Sequence, residues 1–91
     1  MKALFPLGQV VATPGALAAI ENAGQQPGNF LVRHVSGDWG ELDAHDVQEN
    51  EFSLRHGLRL LTVYHTSAGE KLWVITEADR SSTCILLPEE Y

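Results

Sequence analysis

The sequence predicts an α+β domain, with short N-terminal helices packed on a C-terminal three-stranded antiparallel meander. Three observations lead there. The stretch Leu58–Tyr91 holds three runs rich in leucine, β-branched and aromatic residues, separated by SAGE and EADRSS, both of turn composition. The first half instead sets capping residues, prolines and glycines around apolar residues at helical spacing. Finally, 91 residues suffice for one small core but not two, so residues 1–91 form a single domain.

In chain order, Leu4–Thr13 reads LFPLGQVVAT. Gln9–Ala12 can add an edge strand to the sheet, since Pro6 confines a strand here to an edge or a strand start. Thr13 can cap a helix, and Pro14 suits its first position, where the missing N–H would have no partner. Ala16, Leu17, Ile20 and Ala23 follow at helical spacing and Gly24 can stop the run, which predicts a helix over Pro14–Ala23. After the connector Gln25-Gln26, a second helix starts at Pro27 and covers Gly28–Val35, with Phe30, Leu31 and His34 or Val35 as its stripe. The tight joint suggests a helical hairpin.

Asp38-Trp39-Gly40 forms a turn that carries a large aromatic. Asp43 caps a third helix, Ala44–His56, stopped by Gly57, and Asp46 three residues on resembles a capping box. Its stripe of Ala44, Val47 and Leu54 is narrow, so much of this helix faces water. The strands follow at Leu58–Thr66, Lys71–Thr76 and Ser82–Leu87, ended by Pro88. Ser67-Ala68-Gly69 fits a type I turn closed by a glycine bulge. Alternation puts Lys71, Trp73 and Ile75 on one face and Leu72, Val74 and Thr76 on the other. Both faces are apolar, so one packs on the helices and the other is left for the N-terminal strand or a second copy of the chain, which makes a homodimer the expected assembly.

Composition excludes several classes. The hydrophobic fraction of 44% is that of a globular protein, and no apolar run approaches the ~18 residues of a membrane span. Pro6 and Gly8 interrupt the N-terminal apolar run, which is therefore read as part of the fold and not as a signal peptide. The lone Cys84 rules out an internal disulfide and suits a reducing, cytoplasmic setting. A net charge of −6 argues against direct nucleic-acid binding, which needs a basic footprint. Half of the 12 carboxylates fall between Asp38 and Glu51, a stretch without Lys or Arg.

Few residues carry chemistry. His45 and Glu49 are an i,i+4 pair, but no third ligand is evident, so neither a metal nor a cofactor is expected. His45 and His56 share a helix face about 16 Å apart, too far for one ion. The densest polar piece is the turn Glu77–Thr83, where Glu77, Asp79, Arg80, Ser81 and Thr83 place a guanidinium fork beside acids and hydroxyls. The same groups can also simply satisfy their own turn. With Trp39 in its own turn, they are the candidate contact region for a protein partner. An enzyme alternative sets Arg59 and His65 on one face of the first meander strand beside Glu77 and Arg80, a set fit for general acid–base work on RNA or another ester. It requires the four to converge. A third reading makes the Asp38–Glu51 carboxylates a decoy for nucleic acid, which requires them to lie exposed in one line.

The phrases LFPLGQVVATPGAL (Leu4–Leu17), RHVSGDWG (Arg33–Gly40), HGLR (His56–Arg59) and WVITEADRSSTCILLPEEY (Trp73–Tyr91) carry a family likeness. The chain resembles a family of small bacterial proteins carried on plasmids and integrative elements, to which no activity is attached. Cys84 stands where that family leads one to expect threonine; both fit a strand. The resemblance implies a bacterial, cytoplasmic, mobile-element setting and brings no catalytic residues. The leading expectation is a non-enzymatic accessory module that binds a protein.

Overall fold

The computed structural model describes residues 3–91. The chain runs β1 (Gln9–Ala12), α1 (Pro14–Asn22), α2 (Pro27–Val35), α3 (Ala44–His56), β2 (Leu60–His65), β3 (Lys71–Thr76) and β4 (Ser82–Leu86), then a single 3₁₀ turn at Pro88–Glu90. It is an α+β fold with a four-stranded sheet in the order β1-β4-β3-β2.

The helix ends follow local chemistry. Thr13 accepts a hydrogen bond from the Ala16 N–H, and Asp43 accepts one from the Asp46 N–H. After α1, Gly24 sits at φ 69°, its N–H bonds Glu21 O, and Gln25 N–H reaches back to Ile20 O, a glycine-centred stop that satisfies the last carbonyls. Gly37 and Gly57 end α2 and α3 in the same left-handed conformation. Ala23 is the cap of α1 rather than its last turn. Leu58 likewise belongs to the end of α3, because its N–H bonds Ser53 O, so β2 begins two residues later than the composition suggests.

β2, β3 and β4 form the expected meander, with Leu61 opposite Ile75 and Ile75 opposite Cys84. The β2–β3 turn is also as expected: Gly69 at φ 92° donates to Thr66 O, while Thr66 N–H bonds Glu70 O. The sheet as a whole is mixed rather than antiparallel, because β1 pairs parallel with β4. Parallel neighbours need a long connection, and the three helices followed by β2 and β3 supply it here. Gly8, at φ 66°, lets the chain come this close: a Cβ there would stand 2.4 Å from the Ser81 backbone. β1 thus extends the sheet at its edge, as expected of Gln9–Ala12, and does not lie over a face, the alternative cover for the second sheet face.

The three helices pack on one side of the sheet, leaving Leu17, Val32 and Phe52 exposed. Ala16, Ile20 and Phe30 pack with Tyr64, Leu72, Val74 and Ile85, while Phe5 and Trp39 pack with Leu60 beside Val47 and Leu54 of α3. The opposite, outer face carries Leu61, Val63, Trp73, Ile75, Cys84 and Leu86 by alternation from these buried residues. It is crossed by the C-terminal segment, whose Tyr91 ring meets Trp73 edge-on at 5.5 Å.

The free edge of β2 is closed. The Asn50 side chain exchanges two hydrogen bonds with the Leu61 backbone (2.7 and 3.2 Å), in the manner of a neighbouring strand. Farther along, Glu41 N–H bonds Val63 O at 2.7 Å. Gly40 makes that approach possible, since a Cβ there would lie 2.1 Å from Val63 O.

Candidate functional site

The Glu77–Thr83 turn joins β3 to β4, and its polar groups are largely spent on the fold. Asp79 accepts from the Ser81 N–H at 3.0 Å, and the Ser81 hydroxyl, with that N–H adding to it, holds its carboxyl below the usual range. Glu77 N–H bonds Ser82 O, and Arg80 N–H bonds Glu77 O. Arg80 takes the left-handed conformation, φ 61°. Its guanidinium meets carbonyls and no carboxylate: Nη1 donates to Leu58 O (2.6 Å), Glu77 O (3.0 Å) and Ala78 O (3.3 Å), and Nη2 to Ser53 O (3.2 Å). Arg80 therefore staples the hairpin to the C-terminal end of α3, where the helix carries partial negative charge. Its Cζ also lies 5.6 Å from the centre of the Phe5 ring. Thr83 points inward and is fully buried.

Trp39 is no surface anchor. It is 4% exposed, stacks with Phe5 at 6.4 Å, and donates its indole N–H to Glu51 at 2.6 Å. A turn composition suggested exposure, but Phe5 and Leu60 enclose the ring.

Arg59, His65, Glu77 and Arg80 do not converge. Arg59 and His65 do share the outer face, but they flank the two ends of β2, about 20 Å apart at strand rise. His65 is 3.9 Å from Glu41 and lies opposite Lys71. At the other end, Arg59 lies 3.7 Å from Glu77 and donates to the Tyr91 hydroxyl at 2.8 Å. Arg80 is turned toward backbone carbonyls. The geometry on which general acid–base chemistry depends is missing from this set.

The acidic run is likewise divided among local tasks. Asp38 pairs with Arg33 at 2.7 Å, which holds its carboxyl below the usual range. Asp43 caps α3, and Glu51 accepts the Trp39 indole. His45 lies 3.6 Å from Asp46 rather than pairing with Glu49, and Asp43, His45 and Asp46 cluster fully exposed at the first turn of α3.

The least expected feature is a buried polar chain through the helix–sheet interface. His34 of α2 is fully buried among Phe5, Trp39 and the inner sheet face. Its Nδ1 lies 2.6 Å from Thr62 Oγ1 and its Nε2 lies 2.8 Å from Thr76 Oγ1. Thr76 Oγ1 is 2.8 Å from Thr83 Oγ1, which donates to Leu7 O at 2.8 Å. A carbonyl can only accept, so the far end fixes every proton. Thr83 gives its hydrogen to Leu7 O, Thr76 gives its own to Thr83, and Thr76 must then accept from His34 Nε2–H. Nδ1 is left bare to accept from the Thr62 hydroxyl. His34 is thereby assigned as the neutral Nε2–H tautomer. Burial, with the Arg80 charge adding to it, lowers its pKa from 6.5 to about 4. Every partner in the chain is a protein group, so this reads as a structural histidine.

The outer face remains. Leu61, Val63, Trp73 and Cys84 are half-buried there, and Val11 beside them is 44% exposed. Tyr91 lies across this surface while itself 67% exposed. Where α3 meets β2, a groove of about 310 Å³ opens onto it, with Leu42 and Leu61 in its walls together with Asp46, Glu49, Asn50 and Arg59. Composition gave no hint of the groove, because it depends on α3 lying along the edge of β2.

Comparison with known proteins adds no relative: no family model, curated protein or solved structure matches the chain.

Proposed function

We propose that this chain is a non-catalytic, cytoplasmic accessory module that works by binding a protein, and that its contact surface is the outer face of the sheet. The supporting observation is that Leu61, Val63 and Trp73 stay half-buried and Val11 exposed on the face away from the helices, although Ile75 and Leu86 on that face are buried. Apolar surface left partly open and rimmed by polar groups is where interaction sites form. The scattering of Arg59, His65, Glu77 and Arg80 favours binding over catalysis. A bacterial mobile-element setting rests on the resemblance of the quoted phrases alone. Of the expected contact residues, Glu77 borders this face, whereas Trp39 and Arg80 serve the fold.

The test is affinity capture from a bacterial extract with wild type and Val63→Glu as baits. Both baits are first checked for native circular dichroism. The proposal expects proteins held by wild type and lost by the variant. Equal retention of the same proteins by both baits would move the contact surface elsewhere.

A further inference from the structure

The chemistry around the outer face selects the kind of partner. Its floor is apolar: Leu61, Val63 and Trp73. On the α3 side, the groove adds Leu42 and two carboxylates, Glu49 and Asp46, the latter 3.6 Å from the exposed His45 ring. The one cation among the described residues lining that groove, Arg59, is already matched by Glu77 at 3.7 Å and held by the Tyr91 hydroxyl. Glu41 stands at the far end beside His65. The groove therefore has a net negative lining over an apolar floor, in a chain of net charge −6.

From this we infer that the outer face takes a basic, apolar-centred protein segment. The segment's Lys or Arg stems lie on Leu42 and Leu61 with their heads at Asp46 and Glu49, and its apolar residues cover Val63 and Trp73. Long cationic side chains suit such a groove because the stem buries apolar surface while the charge meets the acids. Charge complementarity decides against the other occupants. A second copy would bring the same excess of acids to the contact, and a nucleic acid or an anionic lipid surface would be repelled. The inference rests on the protein-binding reading above and specifies its partner.

A phage-displayed library of random 12-residue peptides, selected on the intact chain at low salt, tests it. The expected result is enrichment of peptides that combine Arg or Lys with Leu, Phe or Trp. Their affinity should fall about tenfold or more in the Asp46→Asn/Glu49→Gln double variant and by a similar factor at high salt. Glu21→Gln, on α1, should leave it unchanged. Enriched peptides that are neutral or acidic, yet still shift the Leu61, Val63 and Trp73 amides, would overturn the basic partner and leave the protein-binding reading standing. Peptides that map to another surface, or no enrichment at all, would overturn both. A dimer in light scattering whose association is lost in Val63→Glu would assign the face to a second copy and overturn the inference.

Discussion

The two faces of the one sheet are built on opposite terms. The inner face carries three threonines and meets a histidine from α2, yet all four are fully buried, and each finds its partner within the chain Thr62–His34–Thr76–Thr83–Leu7. The outer face carries mainly leucine, valine, isoleucine and tryptophan; Ile75 and Leu86 are buried there, yet Leu61, Val63 and Trp73 stay half-open beside the mostly exposed Tyr91 ring. The inner side encloses polar groups within a fully buried apolar core, whereas the outer face leaves several apolar groups only half-covered. A buried hydrogen-bonded chain costs little while every member is satisfied and much when one is removed. An open apolar face contributes less to folding and is available for contact.

Changes on the inner side should therefore act on stability, and the largest effect belongs to Trp39. Trp39→Ala should cost about 3–5 kcal/mol in urea unfolding, a large share of the stability of a small domain. A native-like stability for this variant would return Trp39 to the surface.

Acid should come next. The folded pKa of His34 is lowered from 6.5 to about 4, so its contribution is fully present above pH 6.5 and is lost as pH falls toward 4. Over that window stability should drop by about 3 kcal/mol from this group, at ~1.4 kcal/mol per unit. The Asp38 carboxyl, held low by Arg33, adds its own loss only below that range. At neutral pH, nitrogen-15 spectra should report His34 as the Nε2–H tautomer; an Nδ1–H signal would break the proton assignment.

Thr76→Val keeps the shape but strands His34 Nε2–H, and should cost about 2–3 kcal/mol. Arg80→Ala removes four carbonyl contacts at the α3 end and should cost about 1–2 kcal/mol, read as an earlier urea midpoint. On the outer face, Tyr91→Ala should change stability by less than about 1 kcal/mol. If Tyr91→Ala were as damaging as Thr76→Val, the contrast between the faces would be lost.

What the sequence made legible was local. Caps at Thr13 and Asp43, stops at Gly24 and Gly57, and the glycine bulge at Gly69 each depend on a few neighbouring residues. The direction of β1 was not legible, because pairing with β4 links residues about 70 positions apart. Arg80 sits among acids in the chain but finds its acceptors on Ser53 and Leu58, which only the fold brings near. Asn50 left a trace: it interrupts the line Val47–Leu54 with an amide, and an amide on an apolar stripe needs a buried backbone partner. The same holds for His34 beside Phe30, and for the alternation that puts Thr62 and Thr76 among leucines and valines.

The division of labour between the faces is tested most directly by amide shifts of the labelled protein on adding a captured partner or an enriched peptide. The account predicts movement at Leu61, Val63, Trp73 and Glu49, with Phe30, His34 and Thr76 still. Shifts centred on α1 and α2, with the outer face unmoved, would contradict it.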